Sequence, residues 1–233
     1  MRAPKEIPVQ KSVFEWHGQE FVALSDEGRS GGSAHDQTRD IFERMDLELR
    51  KEGVSLIGTV RTRLWARDAE ARNRGSRARL EMLANDARSA SSSYIDPGHF
   101  ESSASIAVDL VAMKPASGLT KILKEYDPPM VPLRYAMYGP LVYLSGVTSE
   151  LPTLAEQAPE ILAGIGESLA AAGSSWSQAV KVSFYLQRNE SQDEMAKLFG
   201  GAVAAPNAEF EYAFVEAYSA PGKRVEIEVT ATV

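Results

Sequence analysis

The chain has 233 residues and no cysteine, which excludes a disulfide scaffold, a thiolate nucleophile, a zinc ribbon and an iron–sulfur cluster. With 25 Lys+Arg against 32 Asp+Glu, the formal net charge is −7. Such a surface repels nucleic acid and anionic lipid overall, and only a local basic patch could bind either.

No apolar run approaches the roughly 20 residues of a membrane span. The opening Met1 to Trp16 has no apolar signal-peptide core. These features predict a cytoplasmic protein with no membrane partner. The length suits one large domain or two of roughly 110 residues, and an internal repeat decides for two. At a constant offset of 120, Val22, Leu24, Ser25, Gln37, Ile41, Leu49, Gly53, Ser55 and Val60 meet identical residues from Val142 to Val180. One residue of slip then aligns Ala107-Val108-Asp109-Leu110 with Glu226-Ile227-Glu228-Val229.

In chain order, each copy opens with a short strand ending at a serine, Phe21 to Ser25 and Leu141 to Ser145. A turn-rich loop follows (Glu27 to Ser33; Val147 to Thr153). Next comes a helix, over 35–52 and 155–172, with Ile41, Met45, Leu49 and Ile161, Ile165, Leu169 at four-residue spacing. Gly53 and Gly173 stand where a helix-terminating glycine belongs. β-Branched and aromatic runs, Val60 to Ala66 and Val180 to Leu186, predict a second strand. A second helix spans 69–84 and 190–203. Two further strands close each copy, the last being Ser105 to Met113 and Arg224 to Val233, and the first copy's penultimate strand starts in the serines 89–93. The expected organisation is a first unit over 1–115, a connector over 116–132 and a second unit over 133–233. The stretch from Lys114 to Pro132 carries four prolines.

V-x-L-S, then a helix, then Ala172-Gly173 with Val180-Lys181-Val182 and Tyr185-Leu186, and finally Val225-Glu226-Ile227-Glu228-Val229 resemble the RidA/YjgF family, whose members include enamine/imine deaminases and proteins named endoribonuclease L-PSP. In the first copy, Asp86-Ala87-Arg88-Ser89 is similar to the family's P-A-R-S. The resemblance implies an α+β fold of two tandem chorismate-mutase-like units, each a mixed sheet backed by two helices. It also implies a homotrimer with ligand clefts between neighbouring units.

From the same resemblance come the site residues. An arginine in P-A-R-S binds the substrate carboxylate, here Arg88. The first glutamate of V-E-I-E handles the attacking water, here Glu226. The Ser-Gly pair after the first strand lends backbone contacts, here Ser145 and Gly146, with Ser25 in the first copy. Asp109 is the nearest carboxylate in the first copy, and Tyr135 stands roughly where the family has a ligand-facing tyrosine. A guanidinium fork suits a carboxylate, and a carboxylate can relay protons between water and departing ammonia. No cofactor and no metal are implied; His17, His35 and His99 have no ligand spacing.

The motifs are split between the copies. The first keeps Arg88 but has Ala107 at the glutamate position and Ser25-Asp26 for Ser-Gly. The second keeps Ser145-Gly146 and Glu226 but has Ala208 at the arginine position. Glu226 also lies in a strict alternation, where outward carboxylates are ordinary solvated residues. Three functions follow: a cofactor-independent deaminase of a small imine or enamine carboxylate, aminoacrylate- or aminomuconate-like, on a site composed from both copies; a degenerate or differently catalytic small-molecule binder; or an RNA-binding or nuclease protein. The last is motivated by seven arginines between Arg61 and Arg79 and opposed by the net charge.

Overall fold

A computed structural model describes residues 8–29 and 31–233. Residues 1–7, with which the expected first unit begins, and Ser30 of its glycine-rich loop lie outside the described residues. The chain divides into two units. The first comprises the residues up to Arg88 together with Ser93–Ser117, and the second comprises Ser89–Ser92 together with Gly118–Val233. Among the described residues no helix is long and apolar enough to cross a membrane.

The first unit runs β1 (Gln10–Trp16), β2 (Gln19–Glu27), α1 (Ala34–Lys51), β3 (Thr59–Ala66), α2 (Ala69–Met82), the end of β4 (Ala90–Ile95, whose residues up to Ser92 fall in the second unit) and β5 (Ile106–Met113). Its sheet has the order β1-β2-β5-β3-β4. Preceding the expected first strand, β1 forms an antiparallel hairpin with β2. The turn between them is built on His17 and Gly18, with φ of 49° and 70°. Two successive positive φ values are what the right-handed strand twist requires of a two-residue hairpin turn. His-Gly is a weak written signal for such a turn.

The second unit adds β6 (Ile122–Lys124), β7 (Tyr135–Tyr138), β8 (Leu141–Leu144), β9 (Val147–Thr148), α3 (Leu154–Ala171), β10 (Ala179–Gln187), α4 (Gln192–Ala202), β11 (Glu209–Val215) and β12 (Val225–Thr232). Its sheet order, β11-β10-β12-β8-β7-β6, repeats that of the first unit, strand for strand, with β6 as an extra edge and β9 on β12. β6 comes from within the expected connector and pairs antiparallel with β7.

Each helix pair covers one face of its sheet. In the first unit Ile41, Met45 and Leu49 of α1 pack into a core with Val22, Leu24, Leu64 and Val108. In the second, Ile161, Ile165 and Leu169 of α3 meet Val142, Leu144, Phe184 and Ile227. Burying each such side chain is worth about 1.5–3 kcal/mol. Both long helices start in a capping box, Ser33 with Asp36 and Thr153 with Glu156, which satisfies end donors the helix cannot pair itself.

One repeated residue has a structural explanation of its own. Gln37 and Gln157 are buried polar side chains in the first turns of α1 and α3. Gln37 Oε1 accepts the Ser105 backbone N–H at 2.9 Å, and Gln157 Oε1 accepts that of Arg224 at 2.8 Å, in each case just before the last strand of the copy. Gln157 Nε2 also donates to the carbonyls of Leu151 and Gly222, at 2.5 and 2.7 Å. Removing the side chain strands three backbone groups, so Gln157→Ala should destabilise the second unit by about 3 kcal/mol. Gln37→Ala should cost about 1–2 kcal/mol. Chemical denaturation of the two variants checks the order, and equal losses would contradict it.

Candidate functional site

In the second unit the strand beside β12 is interrupted at Ser145-Gly146. β8 stops at Leu144 and β9 resumes at Val147. Released from the ladder, the two residues bond to the Ser89–Ser92 segment of the same unit. Ser145 Oγ accepts the Ser91 N–H at 3.1 Å, and the Gly146 N–H donates to the Ser91 carbonyl at 3.3 Å.

Glu226 lies on β12 beside this break, opposite Thr148 on one side and Tyr185 on the other. It is only 6% exposed, and Glu228 on the same strand face is 2% exposed. The alternation that suggests solvated carboxylates therefore has buried ones instead. The side chain of Glu226 passes against Gly146: a Cβ there would lie 2.8 Å from its Cγ, 2.5 Å from its Cδ and closer still to Oε1. Glycine at 146 thus leaves the space in which the Glu226 side chain lies, and the serine before it supplies a hydrogen bond.

Two further side chains complete the surroundings. Tyr218 donates its hydroxyl to the carbonyls of Tyr185 at 2.8 Å and Arg224 at 3.1 Å. Burial pushes the Tyr218 hydroxyl far up, and the Glu226 and Glu190 carboxylates add to the shift. Tyr218 therefore stays neutral and holds the backbone beside Glu226. Glu228 accepts from Ser92 Oγ at 2.5 Å, so the Ser91-Ser92 pair touches both the Ser-Gly break and the second carboxylate.

Of the sequence-derived set, Ser145, Gly146 and Glu226 come together. Arg88 closes the short turn Asn85–Ala87, its backbone N–H donating to the Asn85 carbonyl at 3.1 Å, and it is half-buried. It is bonded directly to Ser89, where the second unit's segment begins. Tyr135 does not join them. It is buried in the second unit's core, with its hydroxyl donating to the Ala171 carbonyl at 3.1 Å.

In the first unit Ser25 pairs with Asp109 in register between β2 and β5. Asp109 Oδ2 accepts the indole N–H of Trp65 at 2.7 Å. Asp26, which replaces the glycine, is buried and ion-paired with Arg44 at 2.7 Å. Burial pushes its carboxyl above the usual range, and the Arg44 guanidinium opposes the rise. Ser25, Asp26, Glu27 and Ala107 border a cavity of about 190 Å³ that also receives His99 and Glu101. His99 had no periodic or spacing signal. Asp96-Pro97-Gly98 before it spells a turn, and only the fold carries the ring over Trp65.

The arginine block is largely committed inside the first unit. Arg74 and Arg77 pair with Glu70 and Glu81 along α2. Arg67 donates to the carbonyls of Ala104 and Ser102 and lies over the Phe100 ring. Arg79 is buried and donates to Ser93 Oγ at 2.8 Å. These arginines tie a helix and two loops of the first unit together.

Residues 128–233 match the family model described as Endoribonuclease L-PSP. Among solved structures, a chorismatase shares 15% identity at a TM-score of 0.70, over 97% of this chain and 80% of its own. A YjgF-family protein from Neisseria meningitidis shares 30% identity, covering 48% of this chain and 94% of its own, with a TM-score of 0.42. A YjgF/YER057c/UK114-family member from Mycobacterium tuberculosis shares 24%, covering 49% of this chain and 100% of its own, with a TM-score of 0.44. No curated protein matches the sequence. With the family model on residues 128–233 and a YjgF-family relative at 30% identity covered over 94% of its length, and with the same strand order in both halves, the chain belongs to the RidA/YjgF (endoribonuclease L-PSP) family as a tandem two-unit member.

Proposed function

We propose that the protein hydrolyses a small imine or enamine carboxylate without a cofactor, with Glu226 handling the water and Arg88 holding the substrate carboxylate. The observation that supports this most is the buried Glu226 carboxylate lying against Gly146, beside the Ser145-Gly146 break. A carboxylate kept at such a place, with a glycine cut to fit it, is a costly arrangement for a merely structural residue. Arg88 enters through chain connectivity, since it leads directly into the segment that binds Ser145 and Gly146.

In the reaction, the enamine first tautomerises to the imine. Water then adds its oxygen to the imine carbon, and Glu226 takes a proton from that water. The same proton passes to the nitrogen and gives a carbinolamine; Glu226 then moves the proton of the new hydroxyl to that nitrogen, the carbon–nitrogen bond breaks, and ammonia leaves a keto acid behind. Ser145 and Gly146 keep the backbone open beside the reacting carbon. Asp109, which accepts from the Trp65 indole, and Ser25, paired with it in register, are given no role in this step.

The test is pyruvate and ammonia formation from freshly generated 2-aminoacrylate, measured above the buffer rate. Arg88→Ala should raise KM about 30-fold or more, the equivalent of about 2 kcal/mol for a lost charge-assisted contact. Unchanged kinetics in that variant would remove Arg88 from the site. A second reading is a differently catalytic family member. It is favoured by the chorismatase structure, whose fold spans both units. Chorismate is therefore the second substrate in the assay; its turnover without any acceleration of aminoacrylate decay would replace the deaminase reading.

A further inference from the structure

We propose that the cleft of the first unit is a separate small-molecule site, for a small amine, in which His99 takes the place of the proton-handling carboxylate that Ala107 removes. Ala107 stands at the strand position that Glu226 holds in the second unit, and Ser25 at that of Ser145. Shortening a glutamate to alanine opens space at that position. The cavity of about 190 Å³ bordered by Ser25, Ala107 and His99 lies there, with room for about six water molecules or a ligand of that size.

The imidazole is held as a functional group would be. Its ring stacks on Trp65 with centroids 4.0 Å apart and planes 8° apart. Trp65 is itself fixed by the hydrogen bond from its indole to Asp109, and the Phe100 ring meets the histidine edge-on at 5.8 Å. Among the described residues no side chain hydrogen-bonds the ring nitrogens. The charged groups facing the ring are Asp109 from β5, Asp96 from the turn and Glu27 from β2. Arg67 lies beyond, over the Phe100 ring. Burial holds the His99 pKa below its ordinary value against the pull of those three carboxylates, so the ring is neutral at physiological pH and can accept a hydrogen bond.

The lining selects the ligand's charge. Among the described residues, Asp26, Glu27 and Glu101 border the cavity and no lysine or arginine does. Asp26 is compensated by Arg44. Glu27 is kept ionised by hydrogen bonds from Ser102 Oγ and the backbone N–H groups of Glu101 and Ser102. An anionic ligand is repelled there. A primary ammonium can donate to Glu27 and to the neutral imidazole, with its carbon chain against the Ala107 methyl.

The probe is n-butylamine, with butyrate as its charge-reversed control, followed by NMR of the His99 ring protons in the full chain. At about pH 8 the amine should shift the His99 resonance saturably and butyrate should not. As the pH is lowered until the imidazolium forms, amine binding should weaken at least tenfold. His99→Gln and Ala107→Leu, the second filling the cavity without touching the ring, should each weaken binding about tenfold or more at unchanged circular dichroism. In His99→Gln the amine is followed through the Trp65 indole signal. Binding of butyrate in preference to the amine, amine binding unaffected by both variants, or no shift with either probe would overturn the proposal. Glu226→Gln should leave amine binding intact, so failure of the deaminase reading and failure of this one are read separately.

Discussion

Glu226→Gln should lower kcat for imine hydrolysis by roughly 10²- to 10⁴-fold, the range for loss of a positioned proton-transfer group, with KM little changed. The substitution keeps the volume and removes the basicity. Because Glu226 is buried against Gly146 and across from Tyr185, an amide can fill the same space without reorganising β12. Circular dichroism and thermal midpoint should stay at wild-type values, which separates chemistry from folding. Glu228→Gln is the comparison that tests the assignment within the strand. Glu228 is equally buried and bonded to Ser92, so it could serve as a structural acceptor or as the proton carrier. If the Glu228 variant loses turnover while Glu226→Gln retains it, the proton-handling carboxylate lies two residues further along the strand.

Gly146→Ala should reduce turnover about 100-fold while leaving stability almost untouched. A methyl at this position meets Glu226 Cδ at 2.5 Å and Cγ at 2.8 Å, and a flexible carboxylate can swing away at small energetic cost. No positive φ is recorded at Gly146, in contrast to Gly53 and Gly173 at 74° and 79°, so the backbone itself tolerates alanine. What moves is the reactive group, and a misplacement of about 1 Å costs on the order of 10²-fold in rate. The readout is the split between kcat and unfolding free energy. A large stability loss would mean that Glu226 cannot swing and that the glycine serves folding. Unchanged turnover would mean that the position of the carboxylate does not matter to the reaction.

Much of the architecture is legible along the chain because its causes are local. Ile41, Met45 and Leu49 mark α1 through helical spacing, and Gly53 and Gly173 mark helix ends because only glycine takes their φ without strain. The two capping boxes and the nine gapless identities do the same for the tandem organisation. The hairpin strands β1 and β7 are not legible in this way. Their partners lie across turns with unusual residues, His17-Gly18 and Gly139-Pro140, and their side chains do not alternate cleanly.

For the candidate site the division falls differently. The resemblance to the family's motifs brings out Ser145-Gly146 and Glu226 as a set, and the repeat shows that Ala107 and Ala208 break the set in opposite copies, since motif order survives in a linear text. Burial does not. Whether a carboxylate in Val225-Glu226-Ile227-Glu228-Val229 faces water depends on what covers that side of β12, and alternation specifies only that the two glutamates share a face. Membership of Ser89–Ser92 in the second unit, the hydrogen bonds of Ser91 and Ser92 to Ser145 and Glu228, and the stacking of His99 on Trp65 all join residues more than 30 positions apart. Such contacts exist only once the sheets have formed, because each depends on the path of strands that have no sequence relation to one another.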